Sequence, residues 1–325
     1  MPAKYQSRYG SRLEALVSYL TGAYRFSKRK IVSLLWEFFG IPISLGMVCK
    51  LQSRTTKALE PGMVEIDDKI MDALISLNVD ETGIRFKGKL AYIWVAVCKW
   101  AVKYLIGPRS RLSFDKLVGK PLGVISLDRY PVYSHLGVKF RQIGWSHLIR
   151  DFFAASEEKT ETGEIGKRLF KTGIQILRIW KRVRDGTLSR SDFIKNYLGR
   201  YQKRIRADLE LARAYPKRKL GIVAKNLLER FESLWQFAHV EGVEPTNNEA
   251  ERQLRELVIY RKICLFIQSE TGRRFIETIF SVIATKKYNG VNPLDYIKSC
   301  IESFRLNRSA PRLIPEWCGP IPVAC

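Results

Sequence analysis

ISLNVDETGIRFKGKLAYIWVAVCKWAVKYLIG, residues 75–107, holds three short runs rich in β-branched and aromatic residues. The runs ISLNVDETGIRF, KLAYIWVAVCKW and VKYLIG are separated by glycine-containing turns and read as consecutive antiparallel strands. Gly83 and the Lys87-Gly88-Lys89 tract predict the tight reversals between them. A short helix near residues 114–118 follows. PLGVISL, residues 121–127, reads as a buried strand ending at Asp128, and residues 139–145 read as another. Three antiparallel strands, a helix, a strand, a helix and a strand make the order of a ribonuclease H-like α/β core with a mixed sheet.

Outward from this core both flanks are helical. Leu13, Leu16, Val17 and Leu20 recur at helical spacing until Gly22, which predicts a break. Ser27 predicts the cap of a helix running to Phe39, with Ile31, Leu34, Leu35 and Phe38 on one face. Gly40-Ile41-Pro42-Ile43 makes a turn, and Ser44 caps a second helix to about Arg54. This is the helix-turn-helix pattern, with Lys50 and Arg54 as candidate DNA contacts; a plain helical hairpin carries the same pattern.

Between about residues 151 and 240 the periodicity is helical again. Phe193, Tyr197, Tyr201, Ile205 and Leu209 form one stripe, and Leu220, Val223, Leu227, Phe231 and Leu234 another. Both read as core. Eight basic residues against Asp208 and Glu210 lie between Arg200 and Lys219, an imbalance that suits backbone phosphates. Glu244-Pro245-Thr246-Asn247-Asn248 ends this insertion, with Thr246 or an asparagine as cap of a helix carrying Glu249, Glu251, Arg252 and Arg255. Closing helices are predicted over residues 278–285 and 293–304. The last fifteen residues hold four of the thirteen prolines and read as a loosely attached tail. The expected division is an N-terminal helical DNA-binding region (1–73), the first part of the core (74–150), the α-helical insertion (151–243), the second part of the core (244–306) and the tail (307–325). There is no internal repeat.

A chain of 325 residues sets an expectation of about two domains and can bury a core without disulfides or zinc. Its 56 lysines and arginines against 32 aspartates and glutamates leave a net charge of +24, which calls for a polyanionic partner. Double-stranded DNA fits better than a membrane, because the longest uncharged apolar run, residues 91–98, is far short of a bilayer span. The N-terminus has no apolar signal core, so a cytoplasmic, nucleoid-associated protein is expected. Six dispersed cysteines and three histidines have no zinc-ligand spacing and read as reduced structural thiols and ordinary side chains.

In so basic a chain, acids at strand ends need a reason. Asp80 follows a predicted strand, Asp128 terminates the most buried-looking one, and Glu251 lies on the helix after the insertion. Two aspartates at neighbouring strand ends and a helical glutamate would form an oxygen-rich pocket for hard cations, the ligand set Mg²⁺ prefers. Two such ions, with Mn²⁺ as a substitute, can activate a water or 3′-hydroxyl at a phosphodiester.

These residues lie in motifs that resemble the DDE transposases of the insertion sequence 66 type, from about Tyr9-Gly10 to about Ile301. The carriers are Val79-Asp80-Glu81-Thr82-Gly83, Ser126-Leu127-Asp128-Arg129-Tyr130, Gln142-Ile143-Gly144-Trp145-Ser146-His147-Leu148-Ile149-Arg150 and Pro245-Thr246-Asn247-Asn248-Glu249-Ala250-Glu251-Arg252, continued by Arg261-Lys262 and Thr285-Lys286-Lys287-Tyr288-Asn289-Gly290. The resemblance implies a ribonuclease H-like core with a helical insertion, cutting and joining DNA at the ends of a mobile element. Asp80, Asp128 and Glu251 are then the metal-binding triad, with Glu249 the fallback, since the two glutamates differ by roughly 200° around a helix. Arg252 and Arg255 would flank the pocket; Trp145, His147, Arg150, Arg261 and Lys262 join the expected DNA contacts. Gly144 stands where the family usually has a cysteine. Longer relatives carry further N-terminal segments, so an accessory protein of the same element is a possible partner, beside a homodimer that brings two ends together. The competing expectations are an inactive or truncated copy that represses by binding DNA, and a nuclease that cuts without joining.

Overall fold

The computed structural model describes residues 9–73, 75–120 and 122–315. The chain opens with α1 (Ser11–Tyr24), α2 (Lys28–Phe39), α3 (Leu45–Ala58) and α4 (Glu60–Met71). Ser27 and Ser44 cap α2 and α3 as expected, accepting hydrogen bonds from the N–H of Lys30 and Met47, and Gly40 closes α2 in the left-handed region. Gly22 does not break α1. A β-carbon there would lie 2.6 Å from Cδ1 of Ile283, so this glycine admits a close approach of two helices. Phe38, expected on the apolar face of α2, is 77% exposed, while Ile31 and Leu35 carry the burial.

The three strands are β1 (Ser76–Phe86), β2 (Lys89–Val97) and β3 (Val102–Gly107). Lys87 and Gly88 turn β1 into β2 with φ of 49° and 76°, as a two-residue hairpin loop of the I′ type requires. Gly83 makes no reversal; it lies within β1. After α5 (Arg111–Val118) come β4 (Val124–Leu127) and β5 (Arg141–Ile143). Two corrections arise here. The link from β4 to β5 is made by two 3₁₀ turns, Pro131–His135 and Val138–Phe140, where a helix was expected. The β5 strand is only three residues long, because Gly144 and Trp145 already start the next helix.

The remaining elements are α6 (Trp145–Ser156), α7 (Glu161–Arg184), α8 (Arg190–Phe193), α9 (Gly199–Arg213), α10 (Lys219–Glu229), α11 (Gln236–His239), α12 (Asn248–Cys264), β6 (Phe266–Ile267), α13 (Glu270–Tyr288) and α14 (Pro293–Arg305). The closing helices are longer than expected. No helix among the described residues is long and apolar enough to cross a membrane.

The chain divides into two compact units. The first comprises Met1–Ala73, Val79–Pro121 and Ala250–Cys325. Its strands run in the order β3-β2-β1, with β6 parallel to the end of β1. Here α13 covers the edge strand β3 chemically as well as sterically. Thr285 Oγ1, Ser281 Oγ and Glu277 Oε1 accept from the N–H groups of Val102, Tyr104 and Ile106 at 3.0, 2.9 and 2.7 Å. Four residues of helix rise about 6 Å and two residues of strand about 6.6 Å, so the two rows stay in step. The edge is thereby closed to pairing with another chain. The start of the tail is docked, not loose: Leu313 and Ile314 are buried and donate their N–H groups to Glu65 of α4. The rest of the tail lies outside the described residues.

The second unit comprises Leu74–Asn78 and Leu122–Glu249. The first residues of β1 pair in parallel with β4, Ser76 opposite Val124 and Asn78 opposite Ser126, and β4 pairs in parallel with β5. Helices α6 to α11 bury one continuous core in which both predicted stripes take part. Trp145 packs on Trp235 at 5.2 Å between ring centroids, and Trp180 stacks edge-on to Phe193 and Phe237.

Candidate active site and DNA interface

In the first unit Asp80 lies within β1 and not at its end, half-buried, with Oδ1 accepting the N–H of Glu81 at 2.9 Å. Two arginines hold the residues that follow. Arg109 grips Oε1 of Glu81 with Nε at 2.9 Å and Nη2 at 2.6 Å, and the Glu81 side chain is only 2% exposed. Arg261 of α12 donates to Thr82 Oγ1 at 2.8 Å and to the carbonyl of Gly83. The strand bearing Asp80 is therefore tied to α12, the helix bearing Glu251. Helix α12 is tied in turn to β3, where the Tyr104 hydroxyl donates to the Gln253 carbonyl at 2.7 Å. Burial pushes the Tyr104 phenol well above its usual range, which keeps that donor protonated.

Glu251 is half-buried, with Oε1 shielded from solvent; Glu249 is half-buried too. Arg252, Arg255 and Lys262 are exposed along α12. Arg261, expected at DNA, is instead spent on the main chain of β1 and acts there as a positioning residue. In the N-terminal helices Lys50 is exposed, whereas Arg54 faces the buried Glu14 at 3.5 Å. That acid also binds Arg305 of α14, so Arg54 belongs to an internal ion cluster.

In the second unit Asp128 stands immediately after β4, half-buried, with Oδ1 accepting the N–H of Tyr130 at 2.8 Å in an Asx turn. It opens on a cleft of about 850 Å³ that also takes in Arg129, Arg141, His147, Arg150 and Arg230. Arg150 donates to Nδ1 of His147 at 2.8 Å, so that nitrogen is unprotonated in this geometry. Trp145 needs correction as a DNA contact. It is fully buried, its indole N–H donating to the Leu234 carbonyl at 2.9 Å, and has no surface to offer. Asn247 was one candidate cap for α12, but its amide makes no hydrogen bond among the described residues; it lies fully buried against Gly144. Arg141 and Arg230 escaped the sequence reading. The signal was there in Arg141, a charge in the middle of the predicted strand 139–145.

The three residues expected as a triad are divided, Asp80 and Glu251 in the first unit and Asp128 in the second. Among the described residues no three histidine, cysteine, aspartate or glutamate side chains form a group able to hold a metal. Cys49, Cys98, Cys264 and Cys300 are free thiols. Within each unit, the site consists of acids flanked by arginines, a set suited to binding and reorienting a phosphodiester.

A mixed α/β chain with such acids in place is consistent with the nucleic-acid enzymes the motifs resemble. Residues 6–275 match the family described as Transposase IS66 family, and the chain belongs to that family. The expected family is thus borne out. A relative from Sinorhizobium fredii, described as uncharacterized protein y4qI, is 26% identical over 197 residues, which are 55% of this chain and 35% of that protein. The chain therefore matches well under half the length of that relative.

Proposed function

We propose that this protein is a divalent-metal-dependent DNA transposase that cleaves strands at the ends of its mobile element and transfers them to target DNA. The observation that supports it most is Asp128, set at the C-terminal end of the buried β4 strand and facing a cleft rich in arginine, in a chain of this family. The order β3-β2-β1 in the first unit, and in the second the parallel pairing of β4 with the first residues of β1 and with β5, support a ribonuclease H-like core.

Asp80, Asp128 and Glu251 are the residues that would hold the metal, with Glu249 as the fallback for the third. All four are half-buried carboxylates, and carboxylate oxygens are the donors that hard cations take. Bound Mg²⁺ ions, or Mn²⁺ in their place, would supply a more acidic attacking water or 3′-hydroxyl and charge neutralisation at the leaving oxygen. The chain's own part is positional. Arg109 and Arg261 fix the backbone beside Asp80, the Asx turn aims Asp128, and the exposed Arg252, Arg255 and Lys262 offer cations to strand phosphates. Arg150 does the same beside Asp128, with His147 as its uncharged hydrogen-bonding neighbour, and so does Lys50 in the N-terminal helices. A homodimer joining two ends, and an accessory protein for targeting, complete the proposed assembly.

The test is a strand-transfer assay. Full-length protein is mixed with labelled DNA carrying the inverted ends that flank its own gene, plus a supercoiled target, with Mg²⁺, with EDTA, and with Asp80→Ala. Joined product that needs metal and disappears in the variant is expected. Tight binding without any product would replace this reading with a DNA-binding repressor, and cleavage without joining with a nuclease.

A further inference from the structure

The cleft beside Asp128 contains a buried cation whose hydrogen bonds, among the described residues, go to carbonyl oxygens, with the Asp128 carboxylate as its nearby opposing charge. Arg141 projects from β5 and is 3% exposed. Its Nη2 donates to the Asp128 carbonyl at 2.9 Å and its Nη1 reaches the Tyr133 carbonyl at 3.5 Å. Its Nε is buried and makes no hydrogen bond among the described residues. Carbonyl oxygens satisfy donors but cancel no charge, and a buried charge without a counterion is costly.

The neighbours make the imbalance larger. Four arginines, Arg129, Arg141, Arg150 and Arg230, line the cleft against two carboxylates, Asp128 and Asp151. Asp151 is already taken by Arg129, with Lys219 on its other oxygen at 3.7 Å. Arg230 stands 3.6 Å from its exposed neighbour Glu229. Burial and then repulsion from Arg230 lower the Arg141 guanidinium to about 10, still cationic at neutral pH. Two mutually repelling guanidiniums that line one open cleft make a place suited to an anion.

We propose that Arg141 and Arg230, with Arg150 at the rim, form a seat for a phosphodiester group of a DNA strand passing over Asp128. The assignment rests on the DNA reading above and names where one phosphate sits. Guanidinium forks match phosphate oxygens in geometry as well as charge. Ser134 and Asn226, which line the same cleft, add neutral hydrogen-bonding groups for the strand. The excess of two positive charges outweighs the repulsion between Asp128 and a singly charged diester. Arg141 joins the two roles, since the guanidinium that would meet the phosphate also anchors the carbonyl of Asp128.

The test measures binding of a fluorescent duplex to the full chain by anisotropy across a salt series. Arg230→Gln is the main variant, because it is partly exposed and its loss should leave the fold intact; Arg141→Lys keeps the charge and removes the fork. Lys298→Gln, in α14, removes one charge outside the cleft. Each variant's thermal melt is recorded alongside. Arg230→Gln should weaken binding about tenfold and make the slope of log K against log salt shallower by about 0.9, the value for one phosphate contact. Arg141→Lys should weaken binding with little change of slope, and Lys298→Gln should match the wild type. Folded Arg230→Gln and Arg141→Lys proteins that bind like the wild type would overturn the seat while leaving the DNA reading standing. A wild type that binds no DNA overturns both. Inorganic phosphate titrated alone is the last arm: tight binding lost in Arg230→Gln, with DNA binding untouched, would make this a free-phosphate site and overturn the strand assignment.

Discussion

Gly144, at the junction of β5 and α6, lies against the fully buried amide of Asn247, so that a β-carbon on Gly144 would sit 2.8 Å from Oδ1. The N–H of Trp145 donates to the carbonyl of Pro245 at 2.8 Å, which locks the same two segments together. Two distant motifs of the sequence are thus one packed contact. The φ of Gly144, −66°, is open to any residue and is not the reason for glycine; space is.

Gly144→Ala should therefore destabilise the protein by about 1–3 kcal/mol through overpacking. Asn247→Ser, which shortens the opposing side chain, should recover part of that loss in the double variant. Urea unfolding of the four proteins in a double-mutant cycle measures the coupling. Additive effects would show that the two residues do not share the contact.

Loss of either aspartate should separate chemistry from binding. Asp80→Ala or Asp128→Ala is expected to slow strand cleavage at least about a thousandfold, about 4 kcal/mol of transition-state stabilisation, with DNA affinity retained. Single-turnover cleavage alongside anisotropy checks this. Cleavage at wild-type rate in either variant removes that residue from the proposed triad.

Glu81, next to Asp80, is nearly inaccessible and is paired with Arg109. Arg109→Met should cost about 3 kcal/mol by leaving that carboxylate in a poorly hydrated place. Adding Glu81→Gln should restore much of the stability. A single variant as stable as the wild type would mean that water reaches Glu81 after all.

Burial raises the carboxyl of Glu277 above the ordinary glutamate range, against the opposing pull of the Ile106 N–H and Arg273. The native protein then binds more protons than the unfolded chain between the ordinary and the raised values. Stability contributed by this group is full below that window and falls as pH rises through it. Glu277→Gln should make the melting temperature less dependent on pH above the ordinary glutamate value of about 4.3. An unchanged or steeper dependence would contradict it.

Most of the local structure was legible because its causes are local. Ser27 and Ser44 announce helix starts by side-chain chemistry acting three residues away, and Lys87-Gly88 announces a hairpin by its backbone freedom. The stripes at Phe193 to Leu209 and Leu220 to Leu234 announce buried faces by period alone, and are buried or half-buried throughout. Gly22, Gly83, Phe38 and the short β5 strand were misread for the opposite reason. In each case a neighbour far along the chain, or its absence, decides the outcome.

The site divides along the same line. The amino-acid sequence by itself determined the family, the order of the motifs, and Asp128 at the end of a buried strand, since residue type and spacing suffice for those. Only the tertiary structure decided that Trp145 is core, that Arg54 and Arg261 are engaged inside the protein, and that Arg141 and Arg230 share a cleft. The physical reason is that a cation's role depends on which charges and carbonyls face it. Those partners come from segments far apart in the chain, 179 residues between Arg261 and Thr82. Spacing along the chain carries no record of such meetings.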